Sequence, residues 1–207
     1  GNEIKVEGEK FIIKKFLGKG KSGYSYLMTN GQKNYVFKKM HDEPCPYYDF
    51  EGNKVQMEVN DYQILKNLIA VPQLIDYNLE EKYLVKEYIA GLTAAEVIAE
   101  DSLTDELLKQ MFDMFKIVKE EGLNIDYFPT NFVVTEENLF YIDYEFNEYD
   151  PQWDLINWGI YYWANSEGMK EYLETGTITK LNQDQDSGIP DKEPVADTVQ
   201  NWLNKYY

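Results

Sequence analysis

The glycine-rich stretch Leu17-Gly-Lys-Gly-Lys-Ser-Gly23 lies between two runs that are typical of β-strands, Glu9 to Phe16 and Tyr24 to Met28. Gly18, Gly20 and Gly23 form a Gly-x-Gly-x-x-Gly arrangement, which is a weak motif alone because glycines between strands usually mark only a tight turn. A dinucleotide-binding loop of this pattern needs a helix after the glycines, whereas a strand follows here. The context therefore favours a strand-loop-strand flap whose backbone amides can cover phosphates.

The residues after this loop continue a sheet and then add one helix. A third strand, Tyr35 to Met40, follows the pair Asn30-Gly31, which predicts a hairpin with a type I′ turn. Apolar residues then recur at helical spacing over about residues 52–68. Two further strands fit residues 71–77 and 82–89. The N-terminal part is therefore predicted to be an antiparallel sheet with one helix.

Beyond Gly91 the pattern becomes mainly helical. Helices are predicted over about residues 93–100, 104–121, 152–164, 167–173 and 195–207, together with a hairpin of residues 132–135 and 139–142. The polar segment 182–194 is predicted to be a surface loop. We therefore predict an α+β protein with a sheet-rich N-lobe over residues 1–90 and a mainly helical C-lobe over residues 91–207.

Lys38 is the first candidate for a functional side chain. It lies on the third strand and shares a sheet face with Val36, because side chains alternate along a strand. A lysine on a strand is more often solvated than functional. Its position after a glycine flap and before a helix that carries Glu58 and Asp61 favours a phosphate-binding lysine held by a carboxylate. Glu58 and Asp61 lie near the same helix face, so either could be that carboxylate.

Asp126, Asn131 and Asp143 are the second group of candidates, with the spacing of a phosphoryl-transfer site. An Asp-x4-Asn pair alone is a common accident, because such residues often make turn and capping hydrogen bonds. Mg²⁺ takes hard oxygen donors and keeps several waters, so two of these groups could hold it with the phosphates. The remaining Asp could then receive a hydroxyl proton.

Taken in order, these motifs resemble the protein-kinase-like superfamily over roughly residues 10 to 160. The matching segments are Gly18-x-Gly20-x-x-Gly23, Val36-Phe-Lys38, the acidic helix, Leu84 to Gly91 as a hinge, Asp126-x4-Asn131 and Asp143-Tyr-Glu145. The resemblance implies a bilobal protein-kinase-like fold that binds ATP and Mg²⁺. It also implies that the backbone of Glu87 and Ile89 contacts adenine.

The resemblance further implies a role for each polar candidate. Asp126 corresponds to the catalytic base, and Asn131 and Asp143 correspond to the magnesium ligands. Lys38 corresponds to the clamp on the α- and β-phosphates, held by Glu58 or Asp61. The three glycines correspond to the flap that covers ATP.

The segment after Asp143 separates this chain from typical protein kinases. Few residues lie between Glu145 and Asp150-Pro-Gln-Trp-Asp154, which leaves no room for a long activation loop and its peptide platform. This arrangement resembles the aminoglycoside and choline phosphotransferase branch, in which the residue matching Asp154 ties a helix start to the catalytic loop. We therefore expect a kinase that transfers the γ-phosphate of ATP to a hydroxyl of a small molecule.

Two alternatives stay open at this point. A nucleotide-binding pseudokinase or scaffold is favoured by Ser25, where an apolar residue would cover adenine, and by Lys86, which would face the back of the pocket. A minimal serine/threonine protein kinase is the other alternative. The sequence identifies neither the phosphate acceptor nor the oligomeric state.

The charge balance narrows the range of partners. The chain has 20 Lys+Arg, all of them lysine, and 37 Asp+Glu, which gives a net charge of -17. Nucleic acid would be repelled, whereas a neutral or cationic small substrate would be admitted, although solubility alone accounts for such a charge equally well. No apolar run is long enough for a membrane span and no signal region is visible, so we expect a cytoplasmic protein without a membrane partner.

Aromatic residues are concentrated at the predicted helix after the Asp143 segment. Most of them are predicted to pack in the core, because aromatic side chains at helical spacing bury large areas. One or two could instead face a cationic substrate. The residues concerned are Trp153, Trp158, Tyr161, Tyr162 and Trp163.

Overall fold

The computed structural model describes residues 2–45 and 52–207 of an α+β protein. The chain divides into two compact units. The first comprises Gly1–Lys66 and Pro72–Tyr88, and the second comprises Asn67–Val71 and Ile89–Tyr207. An antiparallel sheet forms most of the first unit, and helices predominate in the second.

The sheet of the first unit has six strands in the order β1-β2-β3-β4-β6-β5, and every neighbouring pair is antiparallel. The strands are β1 Glu3–Val6, β2 Glu9–Lys19, β3 Gly23–Thr29, β4 Asn34–Met40, β5 Leu74–Asn78 and β6 Tyr83–Glu87. The five strands predicted for this part of the chain are present as β2 to β6. β1 is an additional strand, which the sequence analysis missed because its four residues are too few to show alternation.

The turns of this sheet correct one prediction. Asn30-Gly31 does lie in a hairpin, but β3 and β4 are joined by four residues, and only Gly31 has a positive φ, of 93°. The Asn30 side chain prevents the type I′ turn because its Oδ1 accepts hydrogen bonds from the backbone N–H groups of Gln32 and Lys33, at 2.9 and 2.8 Å. Two consecutive positive φ values occur instead at Glu7 and Gly8, between β1 and β2.

One helix, α1 (Lys54–Leu65), packs on the sheet of the first unit. Asn53 starts the helix by accepting a hydrogen bond from the N–H of Gln56 at 3.0 Å. Val55 and Val59 of α1 pack with Met40 and Leu84 on the sheet. The opposite face of the sheet has its own apolar core of Val6, Phe11, Met28, Phe37, Tyr83 and Val85. The α1-bearing face is therefore the one that carries Val36 and Lys38, which alternate with Phe37.

The second unit is built from helices and short strands. The helices are α2 Ala94–Ala99, α3 Asp105–Glu120, α4 Ile160–Trp163, α5 Ser166–Thr175 and α6 Ala196–Tyr206. The strands are β7 Leu92–Thr93, β8 Leu123–Ile125, β9 Phe132–Thr135, β10 Asn138–Tyr141 and β11 Phe146–Glu148. They form two small sheets, β10-β9-β7 and β11-β8.

The longest described helix, α3, has 16 residues and follows the pattern expected from the sequence. Thr104 caps its start by accepting a hydrogen bond from the N–H of Leu107 at 3.2 Å. Gly122, with φ of 73°, follows its end. In the part of the chain that the structure describes, no helix is both long and apolar enough to cross a membrane.

The helix predicted for residues 152–164 starts later than expected, at Leu155, and its first turn is π-helical. The segment consists of a 3₁₀ turn at Pro151–Trp153, a π-helical turn at Leu155–Gly159 and then α4. Asp154 interrupts the helix because its backbone is extended, at φ -82° and ψ -178°, and its Oδ1 caps the second piece by accepting from the N–H of Asn157 at 2.8 Å. A helix start inside the segment, set by a buried capping residue, replaces the continuous helix.

Candidate functional site

The glycine loop, residues 18–23, is folded back onto the end of β4. The N–H of Gly20 donates to the carbonyl of Gly23 at 2.8 Å, and the N–H of His41 donates to the carbonyl of Ser22 at 3.0 Å. A Cβ on Gly23 would lie 2.5 Å from the backbone oxygen of Lys39, so only glycine fits there. Gly18 is different, because a Cβ there would meet nothing within 4 Å.

Lys38 forms a buried ion pair with Glu58 of α1. Only 6% of Lys38 and 3% of Glu58 is exposed. Of the two acids that the sequence left open, Glu58 is shown to contact the lysine. Asp61 lies one turn further along α1 and is half-buried. The glycine loop, β4 and α1 thus bring Gly23, Lys38 and Glu58 into one region of the first unit.

Ser22, in the glycine loop, also reaches this ion pair. Its hydroxyl donates a hydrogen bond to Glu58 Oε1 at 3.0 Å, and only 1% of the residue is exposed. Glu58 Oε1 is the same oxygen that accepts from Lys38. The glycines of this loop were the only candidates visible from its sequence pattern, and the position of Ser22 as a small polar residue between two of them was the one available signal for it.

The predicted hinge residues lie at the end of β6 and just beyond it. Glu87 is the last residue of β6, and its N–H donates to the carbonyl of Gln73 at 2.8 Å. The N–H of Glu87 is therefore already used within the protein. Ile89 follows the strand and is half-buried. Lys86 is buried and pairs across the sheet with Val36, so it lies on the same face as Lys38.

In the second unit, Asp126 begins the loop that follows β8. Its Oδ1 accepts a hydrogen bond from the N–H of Phe128 at 3.0 Å, which fixes the orientation of the carboxylate. A 3₁₀ turn at Pro129–Asn131 then returns Asn131 toward the start of the loop. The Asn131 side-chain nitrogen makes a long hydrogen bond of 3.4 Å to the carbonyl of Asp126. Asp126 and Asn131 therefore belong to one compact loop.

Asp143 is held next to this loop by the backbone. The N–H of Ile142 donates to the carbonyl of Asn131 at 2.9 Å. The N–H of Tyr144 donates to Asp143 Oδ1 at 2.8 Å. The structure thus brings Asp126, Asn131 and Asp143 together within the second unit, although they are spread over 18 residues of sequence.

Tyr141 joins the two loops that carry these residues. Its hydroxyl accepts a hydrogen bond from the N–H of Asp126 at 3.3 Å and donates one to the carbonyl of Glu145 at 2.8 Å. Burial raises the pKa of Tyr141 well above its ordinary value, and the charges of Asp143 and Asp126 raise it further. The sequence analysis placed Tyr141 in a strand but gave it no role, since strand alternation does not show what a side chain contacts.

Asp154 is a buried carboxylate whose charge is felt in the same loop. This buried residue accepts a hydrogen bond from the Tyr149 hydroxyl at 2.7 Å as well as capping the π-helical turn. Burial raises the pKa of Tyr127, in the Asp126 loop, and the negative charge of Asp154 adds to the shift. The indole N–H of Trp163 donates to the carbonyl of Tyr127 at 2.8 Å. The indole of Trp163 therefore anchors the backbone of the Asp126 loop.

The aromatic residues of this region divide into buried and exposed members. Tyr162 and Trp163 are buried, as expected for core residues, whereas Trp153 is 38% exposed. Burial raises the pKa of Tyr162, and the charge of Asp126 raises it further, so Tyr162 lies near the candidate base. The indole N–H of Trp158 donates to the carbonyl of Gly188 at 2.8 Å, which attaches the polar segment after α5 to the aromatic group.

Comparison with protein-family models and with curated proteins finds no match to this sequence.

Proposed function

We propose that the protein is a kinase that transfers the γ-phosphate of ATP, with Mg²⁺, to a hydroxyl of a small molecule. The observation that carries the proposal is the buried Lys38–Glu58 ion pair beside the glycine loop. Burying two opposite charges costs desolvation energy that their attraction only partly repays, so such a pair is a poor way to stabilise a fold. A lysine that clamps phosphates, by contrast, needs a carboxylate to hold it.

The proposal includes the protein-kinase-like fold with its two lobes. A sheet that carries the glycine loop, a strand lysine and one acidic helix supports it in the first unit. Helices with a compact Asp-Asn loop support it in the second. In this scheme the carbonyl of Glu87 and the backbone of Ile89 contact adenine.

Asp126, Asn131 and Asp143 supply the remaining roles. Asp126 receives the proton of the acceptor hydroxyl, and the Phe128 N–H holds its carboxylate in place. Asn131 and Asp143 would hold Mg²⁺, because they offer an amide oxygen and a carboxylate, the hard donors that this ion takes. Mg²⁺, when bound, neutralises charge on the phosphates. Catalysis then consists of positioning and electrostatic stabilisation, without a covalent intermediate.

A small-molecule acceptor is supported by the segment after Asp143. Phe146–Glu148 forms β11 and pairs with Leu123–Ile125, directly before the Asp126 loop. A 3₁₀ turn starts at Pro151, only two residues after β11, so this segment leaves no room for the long activation loop and peptide platform of a protein kinase. A minimal serine/threonine protein kinase is for this reason the weaker alternative.

Asp126→Asn tests the proposed base. We expect the variant to keep ATP binding but to lose transfer by roughly 100-fold to 10,000-fold, because the amide cannot accept the proton. Asp113→Asn, an exposed position on α3, is the matched control and should behave as the wild type. The assay is ATP consumption with a panel of hydroxyl-bearing amines, sugars and nucleosides. Calorimetry that detects neither ATP nor Mg²⁺ binding would exclude the proposal.

A nucleotide-binding pseudokinase is the second candidate, and Lys86 is the observation that favours it. This buried lysine lies on the same sheet face as Lys38, where the proposal requires adenine to bind. Asp143→Ala distinguishes the two functions. Slow ATP hydrolysis that disappears in Asp143→Ala supports the enzyme, whereas nucleotide binding without turnover on any acceptor supports the pseudokinase.

A further inference from the structure

Ser22 is a polar residue in the glycine loop that points inward. Its hydroxyl is buried and donates to Glu58 Oε1 at 3.0 Å, across 36 residues of sequence. A hydrogen bond to an ionised carboxylate is stronger than one between neutral groups. The contact therefore links the loop to the residue that holds Lys38.

The backbone around Ser22 favours this inward orientation. The Ser22 carbonyl accepts from the N–H of His41, and the imidazole Nε2 of His41 donates to the carbonyl of Gly20 at 3.0 Å. Gly23 approaches the backbone of Lys39 too closely for any side chain. The backbone on both sides of Ser22 is thus held against Lys39 of β4 and against His41, and the Ser22 hydroxyl is directed at Glu58.

The two donors act on the same oxygen of Glu58. Lys38 and Ser22 both donate to Glu58 Oε1, so each donor helps to orient the carboxylate for the other. If the loop lifts and Ser22 leaves, the carboxylate loses one of the groups that orient it. The orientation of Lys38 then becomes less defined.

We propose that Ser22 is a positioning residue that couples the glycine loop to the Lys38–Glu58 pair, so that closure of the loop and placement of the lysine occur together. The expected effect of this coupling on ATP binding rests on the proposed function, in which Lys38 binds the phosphates. Ser22 itself contacts the carboxylate and not the reacting atoms.

Ser22→Ala tests the coupling in the intact chain. We expect about tenfold weaker binding of Mg-ATP by calorimetry, because one hydrogen bond to a charged group is lost from the preorganised site. We also expect faster amide hydrogen exchange in residues 20–23, while exchange in α1 stays unchanged. Ser22→Thr keeps the hydroxyl and should restore both values. Ser102→Ala, at an exposed serine after α2, is the control and should match the wild type in both measurements.

The two measurements separate this inference from the proposed function. A wild type that binds no Mg-ATP excludes the proposed function, and loop exchange in the free protein then decides whether Ser22 holds the loop. Loop exchange equal in Ser22→Ala and the wild type would overturn the coupling. The coupling would also be overturned if Ser22→Ala binds Mg-ATP more weakly and Ser22→Thr restores the wild-type loop exchange without restoring the binding.

Discussion

Single residues differ sharply in how much the fold depends on them, and the three glycines of the loop illustrate this. Gly23 is required by a close approach to the backbone of Lys39, whereas Gly18 has open space where a side chain would lie. Neither residue has a positive φ. Within the glycine motif, Gly23 is therefore required for steric reasons, whereas the fold does not require glycine at position 18.

Gly23→Ala should destabilise the protein by about 1–3 kcal/mol, because the new methyl group would have to displace backbone at 2.5 Å. Gly18→Ala should leave the free energy of unfolding unchanged or raise it by up to about 1 kcal/mol, since alanine restricts the unfolded chain. Denaturant unfolding of both variants measures the difference. Equal losses at the two positions would show that the close approach at Gly23 is absent.

Glu58→Gln should lower the free energy of unfolding by about 3–5 kcal/mol, because it removes the buried carboxylate that pairs with Lys38. Asp61→Asn, at a half-buried position on the same helix, should cost less. Urea unfolding of the two variants and the wild type provides the comparison. A larger loss for Asp61→Asn would contradict the assignment of Glu58 as the partner of Lys38.

Among the elements, β10 and the loops around it form the framework of the Asp126 region. β10 ends at Tyr141, whose hydroxyl contacts the backbone at Asp126 and at Glu145. Tyr127 is also fully buried, but its hydroxyl makes no hydrogen bond to any group in residues 2–45 and 52–207. Two buried tyrosines in neighbouring elements therefore have different roles, and they can be compared directly.

Tyr141→Phe should destabilise the protein by about 1–3 kcal/mol, because it leaves the N–H of Asp126 and the carbonyl of Glu145 without this partner. Tyr127→Phe removes a hydroxyl without a described partner and should leave the stability unchanged or slightly raised. Thermal and denaturant unfolding measure both. A substantial loss in Tyr127→Phe would show that its hydroxyl takes part in a hydrogen bond.

At the scale of the whole molecule, stability at alkaline pH depends on buried tyrosines that must stay protonated. The net charge of -17 is carried by surface carboxylates, whereas several tyrosines are buried as neutral side chains. Burial raises the pKa of Tyr127, Tyr141 and Tyr162 above the ordinary value of 10.0. Their contribution to stability is fully present below that value, because folded and unfolded states then bind the same proton.

The free energy of unfolding should therefore fall as the pH rises above about 10, where the unfolded tyrosines lose protons that the folded ones retain. Each buried tyrosine adds up to about 1.4 kcal/mol per pH unit to this slope. Tyr127→Phe should reduce the slope by about that amount without removing a described hydrogen bond. Urea unfolding from pH 9 to about pH 11.5 measures it.

Surface lysines can also make stability depend on alkaline pH, because exposed carboxylates raise the pKa of residues such as Lys19 and Lys180. High salt is the control, because ions screen these exposed charge pairs but do not affect the burial that raises the pKa of the tyrosines. A slope that disappears at high salt, or that is the same in Tyr127→Phe and the wild type, would assign the alkaline effect to the surface.

Much of this fold follows from local sequence. Alternation in β2, β3 and β4, helical spacing in α3 and the capping residue Thr104 involve neighbours a few positions apart, so the sequence alone predicts these elements. The identity of the candidate groups, Lys38 and the Asp126 loop, was also visible from residue type and order. The helix predicted from residue 152 starts instead at Leu155, because buried Asp154 has an extended backbone, caps the helix and accepts a hydrogen bond from Tyr149.

Sequence by itself determined the antiparallel strands, the principal helices and the order of the candidate residues, because these depend on periodicity and short-range hydrogen bonds. Only the tertiary structure decided that Glu58 contacts Lys38, that Ser22 points inward, and that Tyr141 joins two loops. Those contacts connect groups whose meeting depends on packing between elements. A local sequence pattern does not predict which side chains of different elements will be in contact after packing.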